Sequence, residues 1–113
     1  MGSARPRPAR LAEKLLQIRN ALGVSQPIML RRLGAEDQID YTTISKYELG
    51  KNEPPLTILL QYARVAGVPT EVLIDDELDL PERLPGPTDH NEIRRKFAAR
   101  RKRAGKTKAK KGN

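Results

Sequence analysis

Glycine cuts short the four longer apolar stretches of this chain. Glycines stand at positions 23, 34, 50 and 67, and each closes a run whose apolar residues recur three and four positions apart. A glycine just past the last turn is a common helix stop, because it adopts the left-handed conformation without steric cost. The pattern predicts a set of short amphipathic helices packed on one another. It excludes a long heptad seam and a membrane-crossing segment, since no run of 18 apolar residues exists.

The segments fall out in order. The first helix carries Leu11, Leu15, Ile18 and Leu22, with Ala12, Leu16 and Ala21 beside them, and stops at Gly23. Ser25 is an N-cap and Pro27 sits in the first turn, where its missing N–H costs nothing. The second helix is expected to turn Ile28, Leu30 and Leu33 inward and Arg31 and Arg32 outward, ending at Gly34. Ala35 to Gln38 is polar and shows no strong pattern. Asp40 can cap a third helix, Tyr41 to Leu49, whose Ile44 and Tyr47 face the core. Its Thr and Ser residues give it poor intrinsic propensity, so packing must hold it. Pro55 opens a fourth helix with Ile58, Leu59, Tyr62, Ala63, Val65 and Ala66, and Thr70 to Leu73 or Ile74 forms a short fifth. No strand pattern appears.

The expected organisation is a flexible arm at 1–9, one helical domain at 10–75, an acidic and proline-rich linker at 76–88, and a basic tail at 89–113. Pro81, Pro85, Gly86 and Pro87 mark the linker as extended, with His90 at its edge and without a specific role. In the tail, Asp89 and Glu92 have capping-box spacing, which allows a basic helix from His90 to about Arg103. Beyond Gly105 the chain is expected to be disordered.

The 113 residues suffice for one domain, and an aromatic share of 4% fits a core of Leu, Ile, Val and Ala. No cysteine is present and His90 is the sole histidine, which excludes disulfides and metal sites built on thiolates or several imidazoles. The cysteine count fits a reducing cytoplasm. There is no His–acid dyad, cysteine nucleophile or phosphate-binding glycine loop, so the expectation is a non-enzyme without cofactor or metal. The formal net charge is +8, divided as +10 over 90–113 and −2 before it. A basic tail on a near-neutral domain points to nucleic acid, or to a solvated tail that keeps the chain soluble.

Two short helices meeting at a sharp turn, the second bearing small hydrogen-bonding side chains outward, suit the DNA major groove. Residues 25–50 have that form. The stretches KLLQIRNALGVSQ at 14–26, YTTISKYELGKNEP at 41–54 and LLQYARVAGVPTEVLI at 59–74 resemble the lambda-repressor-like family of Cro or Xre type regulators. The resemblance implies an all-α, compact five-helix domain with a helix-turn-helix, to which the charge pattern adds the flexible basic C-terminal tail. It implies a sequence-specific regulator, most often a repressor, that binds double-stranded DNA as a homodimer. Carried over by position, Tyr41, Thr42 and Lys46 read bases, and Thr43 and Ser45 make secondary contacts to base or phosphate. Lys51 and Asn52 grip phosphate. Gln26 contacts the DNA backbone or supports the readers. Arg19 and Glu48 form a structural ion pair between the first and third helices. The sequence departs from the family in one place. Ser25 and Ile44 lie nineteen positions apart, where about fifteen is usual, and the extra residues fall at 34–38, in the turn itself.

Two rival readings come from the same residues. One is an antitoxin or adaptor that docks a protein partner through the acidic DDELDLPE at 75–82. The other is a nonspecific nucleic-acid binder led by the basic tail.

Overall fold

The computed structural model describes residues 7–98. They form α1 (Leu11–Leu22), α2 (Gln26–Leu33), α3 (Tyr41–Glu48), α4 (Leu56–Ala66), α5 (Thr70–Ile74) and α6 (87–98), with no strand among the described residues. The all-α expectation holds, and the sixth helix adds to the five. Residues 1–6 of the arm expected at 1–9, the expected helix beyond 98 and the tail after it lie outside the described residues.

One core binds the helices. Leu11, Leu15 and Ile18 from α1, Met29 and Leu33 from α2, and Ile44 and Tyr47 from α3 meet Ile58, Leu59, Tyr62 and Ala63 from α4 and Leu73 from α5. The inward face of α2 therefore differs from expectation: Met29 is fully buried, whereas Ile28 is exposed and Leu30 only half-buried. Met29 and Leu33, four apart, share one side of the helix, while Ile28 and Leu30, two apart, flank it on opposite sides.

The two ends of the domain are clasped by reciprocal caps. The α1 helix begins at Arg10 without a side-chain cap of its own. Asp76, far along the chain, supplies one: its carboxylate accepts from the backbone N–H of Ala9 (2.8 Å) and Arg10 (3.0 Å). Those two N–H groups hold the Asp76 carboxyl below the usual carboxylate range. In return Lys14, a fully buried lysine, sends its ammonium to the carbonyls of Val72 (2.8 Å), Asp75 (3.0 Å) and Leu78 (2.7 Å). The Val72 carbonyl has no helical partner of its own, while Asp75 also accepts from the Leu78 N–H (3.0 Å) and Leu78 from Arg10 (3.4 Å). All three ammonium protons are used. Arg10 completes the clasp, donating to the carbonyl of Asp76 (2.9 Å) and to Asp79 (2.6 Å).

The acidic segment after α5 thus lies along the domain, with Leu80 buried and Leu84 packed against the core. The chain then returns to the end of α4, where the Gly86 N–H bonds the Ala66 carbonyl at 3.0 Å. Gly67 ends α4 with φ +79°, and a Cβ there would run into the Gly86 backbone. This close approach seats α6. Pro87 opens the helix rather than breaking the chain, since proline suits a first helical turn. Asp89 is therefore inside the helix and no capping box forms. His90, expected at the edge of an extended linker, is only 5% exposed on α6. Burial lowers its pKa, helped by the charges of Arg64 and Arg94.

Two outcomes are expected. Lys14→Met leaves the Val72 carbonyl without a donor, removes one donor from the Asp75 and Leu78 carbonyls, and lowers the unfolding free energy by about 3 kcal/mol in urea titration. His90 is held neutral in the folded chain, so the stability it contributes is full above its unfolded pKa and is lost as pH falls through the lower folded value. Amide exchange along 87–98 should accordingly accelerate on acidification, and His90→Asn should flatten that dependence.

Candidate nucleic-acid interface

The turn between α2 and α3 is built, not loose. Gly34 closes α2 in the left-handed region, and Ala35, fully buried, gives its carbonyl to the N–H of Gln38 (2.9 Å) and Ile39 (3.1 Å). Ala35 and Ile39 pack inward four positions apart, leaving Glu36, Asp37 and Gln38 exposed. The extra residues thus form a self-bonded turn that protrudes beside the start of α3.

Asp40 caps α3. Its Oδ1 accepts from the N–H of Thr42 (3.1 Å) and Thr43 (3.3 Å), and from the hydroxyls of Thr42 (2.6 Å) and Thr43 (3.4 Å). The Thr42 hydroxyl, with the other three donors, holds the Asp40 carboxyl below the usual range. This gives Thr42 a task in the helix cap that its sequence position did not announce.

Ile44 and Tyr47 pin the inner side of α3, both nearly or fully buried. At 3.6 residues per turn, that sets positions 41, 42, 45, 46 and 49 on the outer side. Tyr41, Thr42 and Lys46 are exposed, and Ser45 and Thr43 are half-buried. Leu49, just past the helix, is 66% exposed on the same side. Sequence reasoning treated Leu49 only as part of the helix; its four-residue spacing from Ser45 was the available signal. Lys51 and Asn52 are exposed beyond it and line an open groove together with Arg7, which sequence reasoning had left in a flexible arm.

The end of α3 is tied to the rest by Glu48. Arg19 of α1 grips it with Nε (2.7 Å) and Nη2 (3.0 Å) and donates its Nη1 to the Val24 carbonyl (3.0 Å). The Glu48 side chain is only 5% exposed. Gln26, at the start of α2, donates to Glu48 at 3.2 Å, so in the free chain its amide is turned inward. Glu48 raises the Arg19 pKa further and keeps it a cation. Beneath them lies Tyr62, fully buried, whose phenol is pushed far up by burial and then by the negative charge of Glu48. Three segments therefore converge on one carboxylate, and the outer face of α3 is presented from a fixed base.

A helix-turn-helix family model of Cro/Xre type matches residues 15–73, more than half of the chain. The chain belongs to the helix-turn-helix family. The match runs from the core face of α1 to α5 and encloses the whole reading unit. The family is one of DNA-binding regulators and not of enzymes. Neither the curated proteins nor the solved structures compared with the chain gave a match. No helix among the described residues is long and apolar enough to cross a membrane. No group of metal-binding side chains occurs among them either.

In this helix-turn-helix protein, Glu48→Gln keeps the shape of the side chain and removes its charge. It should destabilise the fold by about 2 kcal/mol in denaturant unfolding, because the partly buried Arg19 guanidinium is left without a counter-charge.

Proposed function

We propose that the protein is a sequence-specific transcriptional regulator, most simply a repressor, that inserts α3 into the major groove. The observation that carries this reading is the polarised α3. Its inner side is locked by Ile44, Tyr47 and Glu48, and its outer side offers Tyr41, Thr42, Ser45 and Lys46 to solvent. Tyr41, Thr42 and Lys46 take base edges, and Thr43 and Ser45 take base or phosphate. Leu49 adds apolar contact to thymine methyls or sugars. Lys51 and Asn52 hold phosphate, with Arg7 on the same groove as a third contact. Gln26 supports the reading helix through Glu48.

Affinity needs more cations than the domain supplies. The eight basic residues of 99–113 equal the formal net charge of +8, so residues 1–98 are neutral as a whole. The tail therefore supplies sequence-independent attraction, and the domain supplies choice. We also propose that two copies bind together. Leu56 and Ile74, both exposed, line the same groove and offer apolar surface for it. Dimers of this kind read half-sites about one helical turn apart. The rival reading of 75–82 as a docking strip has less support, because Asp76 and Asp79 already serve Ala9 and Arg10.

Binding-site selection from random duplex DNA tests the reading. The full chain and a version ending at Ala98 should select one shared, palindromic motif. Truncation should weaken binding and reduce the slope of log K against log salt by as much as about 7. Lys46→Ala should blur the motif at one position in each half-site. A version ending at Ala98 that selects nothing, beside a full chain that binds all sequences alike, would replace this reading with that of a nonspecific binder.

A further inference from the structure

The Asp40 cap constrains what α3 can read. A threonine hydroxyl has one proton to donate and two lone pairs that accept. The Thr42 proton is directed at the Asp40 carboxylate over 2.6 Å, and the Thr43 hydroxyl faces the same oxygen at 3.4 Å. A hydrogen bond to a carboxylate is about twice as strong as one to a neutral carbonyl, so a base carbonyl does not draw that proton away. Asp40 is exposed, and its second oxygen bonds nothing among the described residues. The threonine–aspartate pair at the opening of α3 therefore presents lone pairs outward and no proton.

We propose that Thr42 is an acceptor-only reader that selects a base with an amino group on its major-groove edge, adenine or cytosine. The inference rests on α3 entering the major groove. In that groove adenine N6 and cytosine N4 are donors, whereas guanine N7 and O6 and thymine O4 are acceptors. Against the acceptors, Thr42 and the Asp40 carboxylate set lone pair to lone pair and charge to partial charge. Guanine and thymine are rejected at this position, and the donors they call for come from Lys46, one turn further on.

Site selection with the full chain, followed by base-analogue binding, tests this. Thr42→Val, which keeps the shape and removes the oxygen, should flatten one position of each half-site, and that position should hold adenine or cytosine in the wild-type motif. Replacing that base by purine or 2-pyrimidinone, which lack the amino group, should weaken the wild-type chain about fivefold, the worth of one hydrogen bond, and leave Thr42→Val unaffected. Asp40→Ala frees the hydroxyl proton and should admit guanine or thymine there. If that variant does not fold by circular dichroism, the analogue series on the wild-type chain decides. Guanine or thymine at the Thr42-dependent position overturns the inference while leaving α3 as the reader. So does a motif that Thr42→Val does not change, or equal losses in both proteins on removal of the amino group. Selection of no motif at all overturns the function and the inference together.

Discussion

The clasp between residues 9–14 and 72–79 is the constraint on which the other elements depend. Helices of 5 to 12 residues do not persist alone in water, because each must recover its nucleation cost from packing. Here α1 lacks its own cap and α5 is little more than a turn. Each end is completed by the other: Asp76 takes the N–H groups ahead of α1, and Lys14 binds three carbonyls within and just past α5. Burying an ammonium is unfavourable by itself, and it becomes tolerable because all three of its protons meet carbonyl oxygens. The result joins segments about sixty residues apart and fixes α1 as a platform.

That platform carries the reading helix. Along α1, Lys14 faces the clasp, and Arg19, one turn and a half further on, faces Glu48 of α3. The third helix has weak propensity, and three devices outside its own backbone hold it: the apolar anchors Ile44 and Tyr47, the Asp40 cap and the Arg19–Glu48 pair. A helix supported in this way can spend its outer side on function, since nothing there is needed for packing.

Much of this was legible in the sequence, and the exceptions have physical causes. Glycine stops and the Ser25 and Asp40 caps are local signals, and they mark where α1 to α4 end and where α2 and α3 begin. The inward side of α2 was misjudged because four apolar residues lie within Ile28 to Leu33, so more than one stripe satisfied the periodicity. Lys14 was invisible because a lysine reads as surface, and its three acceptors lie 58 to 64 residues away. Ala35 and Ile39 sit in a stretch too short for periodicity to register. His90 was placed at the edge of a linker because prolines nearby read as breakers, whereas Pro87 lies where a helix tolerates it. Outward positions on α3 followed directly once Ile44 and Tyr47 were taken as inward.

The bond between Thr42 and Asp40 has an evolutionary consequence. One pair of side chains starts the helix and shapes its outer chemistry, so a substitution at either position changes thermal resistance and target choice together. Lineages that acquire new target sites through position 42 give up the hydroxyl that reinforces the Asp40 cap and keep its bonds to backbone N–H groups. Those that vary position 46 face no such toll. Divergence among descendants of this chain should therefore accumulate on the second turn of the reader while the first stays fixed.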